Sequence, residues 1–377
     1  MALVTILFLF ATACAGGETT QSESENGGGG KDITTVKNVI LLIGDGMGPN
    51  EIKAGEIYKG APLYMQGLTK TTFVETRSND YEVTDSAAAA TAMATGVRTN
   101  NSYVGLDPNG IELETIIDIA KENGKKTGVI TTEELVGATP MGFSAHSYNR
   151  LNSGELIVSA AGTSNVDLFA SYTLENVSYV DYFTSGGYTL IEDVDDISES
   201  DADKIFGHYE IKGTAPSMSA EENNVALDRL VSESLEYLNK NEDGFFLMAE
   251  GAHIDHGGHA NDMIYMLEEL YGFDDMVKAV VEWAKDRTDT VVIVTADHET
   301  GGLELEDGLT KDNFYEKGDN GKPKNFKWTT TGHSSADVCL FFYGPEIDFA
   351  TYSSFETAEK IKNTDVFEIM KYYVEIR

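Results

Sequence analysis

Cysteine is almost missing from this chain, with two in 377 residues. A scaffold stapled by several disulfides is therefore excluded. The length calls instead for one large α/β domain, or two modest ones, with a substantial core. Basic residues are scarce as well: 27 Lys+Arg stand against 63 Asp+Glu, a formal net charge of −36. Phosphate backbones and anionic bilayers are held by an excess of Lys and Arg, so nucleic acid is disfavoured as a specific partner, as is docking on a charged membrane surface. Acidity alone would also suit a disordered polymer, but 41% apolar and 10% aromatic residues supply a core. What the charge permits is metal binding by carboxylates, or a strongly solvated exterior.

Long apolar runs are missing too. The strongest, ALVTILFLFA from Ala2 to Ala11, is too short to span a bilayer and has the length of a secretory signal core, although no Lys or Arg precedes it. Ala13-Cys14-Ala15 fits ordinary signal cleavage, whereas Ala11-Thr12-Ala13-Cys14 resembles a relaxed lipobox in which Cys14 would be lipidated. The polar tether GGETTQSESENGGGG that follows favours the lipobox. The expected organisation is a signal over residues 1–15, a flexible linker over 16–36 and a folded domain over 37–377. The expected location is across the bacterial inner membrane, periplasmic or anchored to the outer membrane.

Within the folded part, apolar runs alternate with amphipathic segments. NVILLIGDG (38–46), KTGVITT (126–132), FFLMAE (245–250), TVVIVTADH (290–298) and DVCLFFYG (337–344) have the continuous apolar character of buried strands. Helices are predicted at 84–96, opened by Asp85 and Ser86 and closed by Gly96, and at 113–125, 220–240, 263–285 and 354–374. This alternation predicts an α/β fold with a mostly parallel central sheet and helices on both faces. Two intervals break the rhythm: 151–215, rich in Ser, Gly, Tyr and Asp, and 303–332, polar and read as an excursion outside the sheet.

Polar residues capable of chemistry fall just after the apolar strands. Asp45 follows VILLIG, Glu250 follows FFLMA, and Asp297 and His298 follow VVIVTA. Ligands of open α/β sheets bind outside the carboxyl ends of the strands. Segment EGAHIDHGGH adds Asp255, His256 and His259, and TTGHSS adds His333. Five of the seven histidines lie in these three stretches, a concentration that a solvated surface does not require. Sets such as Asp255-His259-His333 and Asp297-His298 have the nitrogen and oxygen donors that zinc favours. Glu250 and Asp45, with a hydroxyl, form an oxygen set suited to magnesium. Two zinc ions ~4 Å apart make the clamp used in phosphoryl displacement. Ser86, in the first turn of a helix, sits where backbone N–H groups and the helix dipole favour an anion, which makes it a candidate nucleophile. Arg150 offers a fork for phosphate oxygens.

Taken in order, GDGMG, TDSAAAATAMATG, GATP with AHSYNR, EGAHIDHGGH, TADHETGG and TTGH resemble the motifs of the alkaline phosphatases, over roughly residues 37–345. The resemblance implies hydrolysis of phosphate monoesters of broad specificity through a phosphoserine at Ser86. It implies two Zn2+, one held by Asp255, His259 and His333 and the other by Asp297, His298 and Asp45. It further implies one Mg2+ held by Asp45, Thr139 and Glu250. Arg150 would clamp phosphate, oriented by Asp85, and His256 would contribute to substrate binding. Residue 137 is Gly where family members often carry Asp or His near magnesium-bound water, and residue 256 is His where some bacterial members carry Lys. The homodimer usual in the family is implied, but both intervals beyond Arg150 are compact, so reduced insertions leave a monomer open.

Overall fold

The computed structural model describes residues 36–172, 179–209, 225–318, 321–345, 347, 349–351 and 359–376. The expected signal, lipidated Cys14 and linker lie outside these residues. At the centre is β1 (Asn38–Gly44), every residue of which is buried. A strand buried on both faces needs apolar side chains on both, and NVILLIG supplies them almost without interruption.

From there the chain forms α1 (Pro49–Lys59), β2 (Lys70–Glu75), α2 (Ser86–Thr95), α3 (Ile116–Glu122), β3 (Lys126–Glu134) and α4 (Ala138–Ser144). It continues through α5 (Ser153–Thr163), β4 (Leu168–Tyr172), α6 (Tyr179–Ser185), β5 (Thr189–Ile191), α7 (Asp195–Glu199), β6 (Ile205–Tyr209) and α8 (Leu227–Leu238). The chain then follows with β7 (Phe245–Gly251), α9 (His253–His259), α10 (Met263–Ala284), β8 (Thr290–Thr295), β9 (Glu299–Thr300) and β10 (Leu303–Leu305). Last come β11 (Phe326–Trp328), β12 (His333–Ser334), β13 (Val338–Tyr343), β14 (Lys360–Lys362) and α11 (Asn363–Glu375).

Ten strands form one sheet in the order β14-β2-β13-β8-β1-β7-β3-β4-β6-β5. All neighbours are parallel except β13, which runs antiparallel to both β2 and β8. One group of helices, including α8 and α10, covers one face. Another, made of α2, α3, α4 and α11, covers the other. This is the predicted α/β architecture. The 303–332 excursion leaves the main sheet as the separate β10-β11 pair. Among the described residues no helix is long and apolar enough to cross a membrane.

One sequence expectation is corrected, and one irregular interval is resolved. Within 151–215, the described strands β4, β6 and β5 extend the edge of the sheet beyond β3. The predicted helix at 354–374 begins later, because Lys360–Lys362 pairs with β2 before α11 starts, and residues 352–358 lie outside the described set. Three paired residues are too few to show a strand period, which is why the helical pattern downstream absorbed them.

The small-residue helix α2 is buried along its whole length and packs between α4 and α11. Alanine allows that approach because it presents little side-chain bulk. The Asp85 side chain caps the helix by accepting from Ala88 N at 3.0 Å. Gly96 ends it with φ of 73°, a left-handed conformation in which a Cβ would also meet Phe367 at 2.6 Å.

Candidate active site

Sheet register brings the strand-end residues together. β1 lies between β7 and β8, with Ile43 opposite Glu250 on one side and opposite Thr295 on the other. Asp45 and Asp297 therefore leave neighbouring strands at one level, one residue beyond Gly44 and two beyond Thr295, with Glu250 beside them. Gly46 N donates to Asp297 Oδ1 at 3.2 Å, which ties the first turn after β1 to the turn after β8.

Three histidines point the same nitrogen into the space so formed. His259 Nδ1 lies 2.6 Å from the Thr331 carbonyl and His333 Nδ1 lies 2.9 Å from the Thr84 carbonyl. A carbonyl only accepts, so each Nδ1 carries a proton, and in the neutral ring the lone pair is left on Nε2. His298, fully buried, has Thr300 Oγ1 at 3.2 Å from its Nδ1. Its Nε2 lies 3.1 Å from Asp297 Oδ2, 3.7 Å from Asp45 Oδ1 and 3.1 Å from Ser86 Oγ. Asp255 reaches the same space, 3.3 Å from His259 Nε2 and 3.7 Å from His333 Nε2. The rings of His298 and His333 stack with centroids 3.5 Å apart.

Two sets of donors are close enough to share an ion: Asp45, Asp297 and His298, and Asp255, His298 and His333, with all donor atoms of a set within 4.8 Å of one another. The stacking of His298 on His333 puts His298 in both sets, whereas His259, expected with Asp255 and His333, lies outside both and reaches only Asp255 Oδ2, at 3.3 Å from its Nε2. A third, oxygen-only region adjoins them. Thr139 Oγ1, from the first turn of α4, lies 3.5 Å from Asp45 Oδ2. Glu250 Oε2 accepts from Thr131 Oγ1 at 2.5 Å.

The electrostatics of these groups call for cations. Burial pushes Asp45 well above the usual carboxylate range, with Asp297 and Asp255 adding repulsion. Burial and the charge of Glu133 push Glu250 up to about 8. Asp45 Oδ1 and Glu250 Oε1 are buried without a hydrogen-bond partner. An unpaired buried charge is costly, and a bound divalent ion removes that cost for several carboxylates at once. The donor chemistry fits: imidazole nitrogens and carboxylates for zinc, and carboxylates with a threonine hydroxyl for magnesium. The hydrogen bond to Asp255 raises His259 to about 9, while burial lowers His333 to about 4.

Ser86 is the first residue of α2 and is buried at the edge of this cluster. Asp85 Oδ2 accepts from Ser102 N at 2.9 Å and stands 3.4 Å from Arg150 Nη1. Arg150 N in turn donates to the Ser102 carbonyl at 2.9 Å. Ser102 holds the left-handed φ of 74°, pinned from both sides. Asp85 thus links the start of α2 to the guanidinium beside it.

His256 is set apart from the other predicted residues. Its Nε2 faces Glu133 Oε1 at 3.6 Å, and its ring packs on His253 at 4.6 Å. Thr131, Glu133, Thr300 and Ser102 escaped the sequence reading. Threonine is ordinary in a strand, and only the pairing of Thr131 with Glu250 gives it significance.

The chain is similar in sequence and fold to known proteins. The alkaline phosphatase family model matches residues 36–191 and 173–322. Alkaline phosphatase 3 of Bacillus subtilis is 28% identical, with 97% of this chain and 96% of that protein aligned. Alkaline phosphatase of Escherichia coli is 31% identical over 70% of each. The solved alkaline phosphatase of the Antarctic bacterium TAB5 superposes with a TM-score of 0.77 at 28% identity, covering 91% of this chain and 98% of that one. A variant of that enzyme, with a TM-score of 0.77 at 29% identity and covering 91% of this chain and 99% of that one, was solved with Mg bound in its M3 site. With the family model spanning most of the folded part and the strand-end cluster in place, the chain belongs to the alkaline phosphatase family and is a metal-dependent phosphomonoesterase.

Proposed function

We propose that this enzyme hydrolyses phosphate monoesters of broad specificity through a phosphoserine at Ser86, using two zinc ions and one magnesium ion. Asp255, His259 and His333 would hold one zinc, Asp45, Asp297 and His298 the other, and Asp45, Thr139 and Glu250 the magnesium. When bound, the ions supply Lewis acidity that lowers the pKa of a hydroxyl or water and offsets charge on phosphate oxygens.

The observation that carries the reading is the place of Ser86 Oγ. It stands at a helix N-terminus, 3.1 Å from His298 Nε2, a nitrogen itself flanked by Asp297 and Asp45. An oxygen so placed is aimed at an anion that the backbone N–H groups of α2 attract. Ser86 Oγ gives its proton to solvent and attacks phosphorus, and the ester oxygen departs as the P–O bond to the alcohol breaks and takes a proton from water. Water then attacks the phosphoserine in line, releasing inorganic phosphate and returning Ser86. Arg150 grips the equatorial oxygens of the transferring phosphoryl group, and Asp85 orients the guanidinium. His256 contributes to substrate binding from the side of Glu133.

Hydrolysis of p-nitrophenyl phosphate and bis(p-nitrophenyl) phosphate, measured side by side with and without EDTA and added zinc, tests the reading. The monoester should be preferred, and EDTA should abolish turnover. Ser86→Ala should lose on the order of 10³-fold or more in turnover while retaining its metal. Diester preference, EDTA-insensitive turnover or an active Ser86→Ala would overturn it.

We further propose that the enzyme is exported and held by a lipid on Cys14, as a homodimer. Labelling with palmitate that survives Cys14→Ala, or sedimentation as a monomer, would refute the respective claim.

A further inference from the structure

Glu133 has no place in the reaction described above, yet it stands beside the oxygen-lined region. β3 continues past its last pairing with β7, Thr131 opposite Glu250, and carries Glu133 two residues further. Glu133 N donates to Thr131 Oγ1 at 3.0 Å, and that same hydroxyl donates to Glu250 Oε2. One threonine therefore fixes both the backbone of Glu133 and the carboxylate of Glu250. The charge of Glu133 is felt at Glu250 and at Asp45 alike.

Gly137 explains how the carboxylate comes to be there. A Cβ at that position would lie 2.5 Å from Glu133 Oε2 and 3.1 Å from the Glu134 carbonyl oxygen. Any side chain at 137 would claim the space that the Glu133 carboxylate fills. The missing side chain and the carboxylate are two halves of one arrangement. His256 Nε2, 3.6 Å from Glu133 Oε1, supplies an ion-pair partner. Inward of Glu133, Glu250 Oε1 is buried without a hydrogen-bond partner and Asp45 turns Oδ2 toward Thr139 Oγ1 at 3.5 Å, and both residues belong to the set expected to hold a hard cation.

We propose that Glu133, admitted by the absence of a side chain at Gly137, is a positioning residue for magnesium, accepting hydrogen bonds from the ion's water shell beside Asp45, Thr139 and Glu250. This rests on the magnesium reading given above. Magnesium dehydrates reluctantly and keeps several waters, so a carboxylate placed just outside the direct ligands has donors to bond. Partners of this kind govern metal affinity about 10–100-fold.

The test is calorimetric titration of MgCl2 into the zinc-loaded enzyme. Glu133→Gln, nearly isosteric and at a half-exposed side chain, should weaken magnesium binding about 10–100-fold while zinc content stays that of the parent. Combining Gly137→Asp with Glu133→Ala, which empties that space, should recover most of the loss, because a carboxylate then enters the same space from the other side. Magnesium affinity of Glu133→Gln within twofold of the parent would overturn the role of Glu133 and leave the magnesium site standing. A double variant that binds no better than Glu133→Gln would overturn the shared space. A parent enzyme that takes up no magnesium would overturn both this inference and the reading beneath it.

Discussion

Asp85 is where stability and chemistry can be pulled apart. Its carboxylate caps α2 through Ala88 N, accepts from Ser102 N, and faces Arg150 Nη1 at 3.4 Å. Asp85→Ala removes all three. Loss of an N-cap costs about 1 kcal/mol. The Ser102 N–H left without an acceptor costs about 1 kcal/mol more. The part-exposed ion pair adds a few tenths of a kcal/mol. The total is about 2 kcal/mol, or about 3 °C in Tm for a domain of this size. Asp85→Asn keeps one acceptor oxygen for Ala88 N, but its amide nitrogen cannot accept from Ser102 N. It should lose about half as much, roughly 1.5 °C. Both variants release the Arg150 guanidinium from its carboxylate, so both should lose kcat/KM to a similar degree, about tenfold, or about 1.4 kcal/mol. Differential scanning fluorimetry at saturating zinc and magnesium, paired with p-nitrophenyl phosphate kinetics, measures both quantities. An Asp85→Ala protein melting within 1 °C of the parent would refute the capping argument, and an Asp85→Asn enzyme at full kcat/KM would refute the orienting role.

Three other outcomes follow from the buried charges and the surface. Burial, then Glu299, push the Glu51 carboxyl well above its usual range, so its stabilising protonated form is complete at low pH and is lost as pH rises through the folded value. Glu51→Gln should therefore melt with the parent near pH 4 and above it at pH 8–9. A variant less stable at alkaline pH would refute this. In the metal-free enzyme Glu250, raised from 4.5 to about 8, should withdraw on the order of 5 kcal/mol as pH climbs between those values. The metal-free Tm should fall over that window while the loaded enzyme holds. A flat metal-free profile would argue against the strain assigned to Glu250. With 27 Lys+Arg against 63 Asp+Glu, repulsion is spread over the exterior, and salt shortens its reach from about 30 Å at 0.01 M to about 3 Å at 1 M. Stability should rise steeply with NaCl, and a flat or falling curve would count against surface repulsion as a cost of folding.

Much of this molecule is legible in the chain because burial leaves local traces. β1, β7 and β8 are apolar runs that give way to Gly or acidic residues at or just past their ends, so the strands and the residues there, Asp45, Glu250, Asp297 and His298, stand out without any structure. The helix at Ser86 announces itself through Asp85 at its cap and Gly96 at its end. Ordered motifs then point to the family. Tertiary structure alone decides which strands are neighbours. Setting β1 between β7 and β8 turns three distant strand ends into one cluster, and backbone pairing across some 200 residues of sequence leaves no local pattern. The same holds for the short, polar-flanked strands β4, β5 and β6, whose stability comes from neighbours rather than from their own period. It holds for the Nε2 direction of His259 and His333, set by carbonyls of Thr331 and Thr84 on other loops. It holds most clearly for Glu133: an unremarkable acid in the sequence, it acquires meaning because Gly137 leaves a space that only folding brings within its reach.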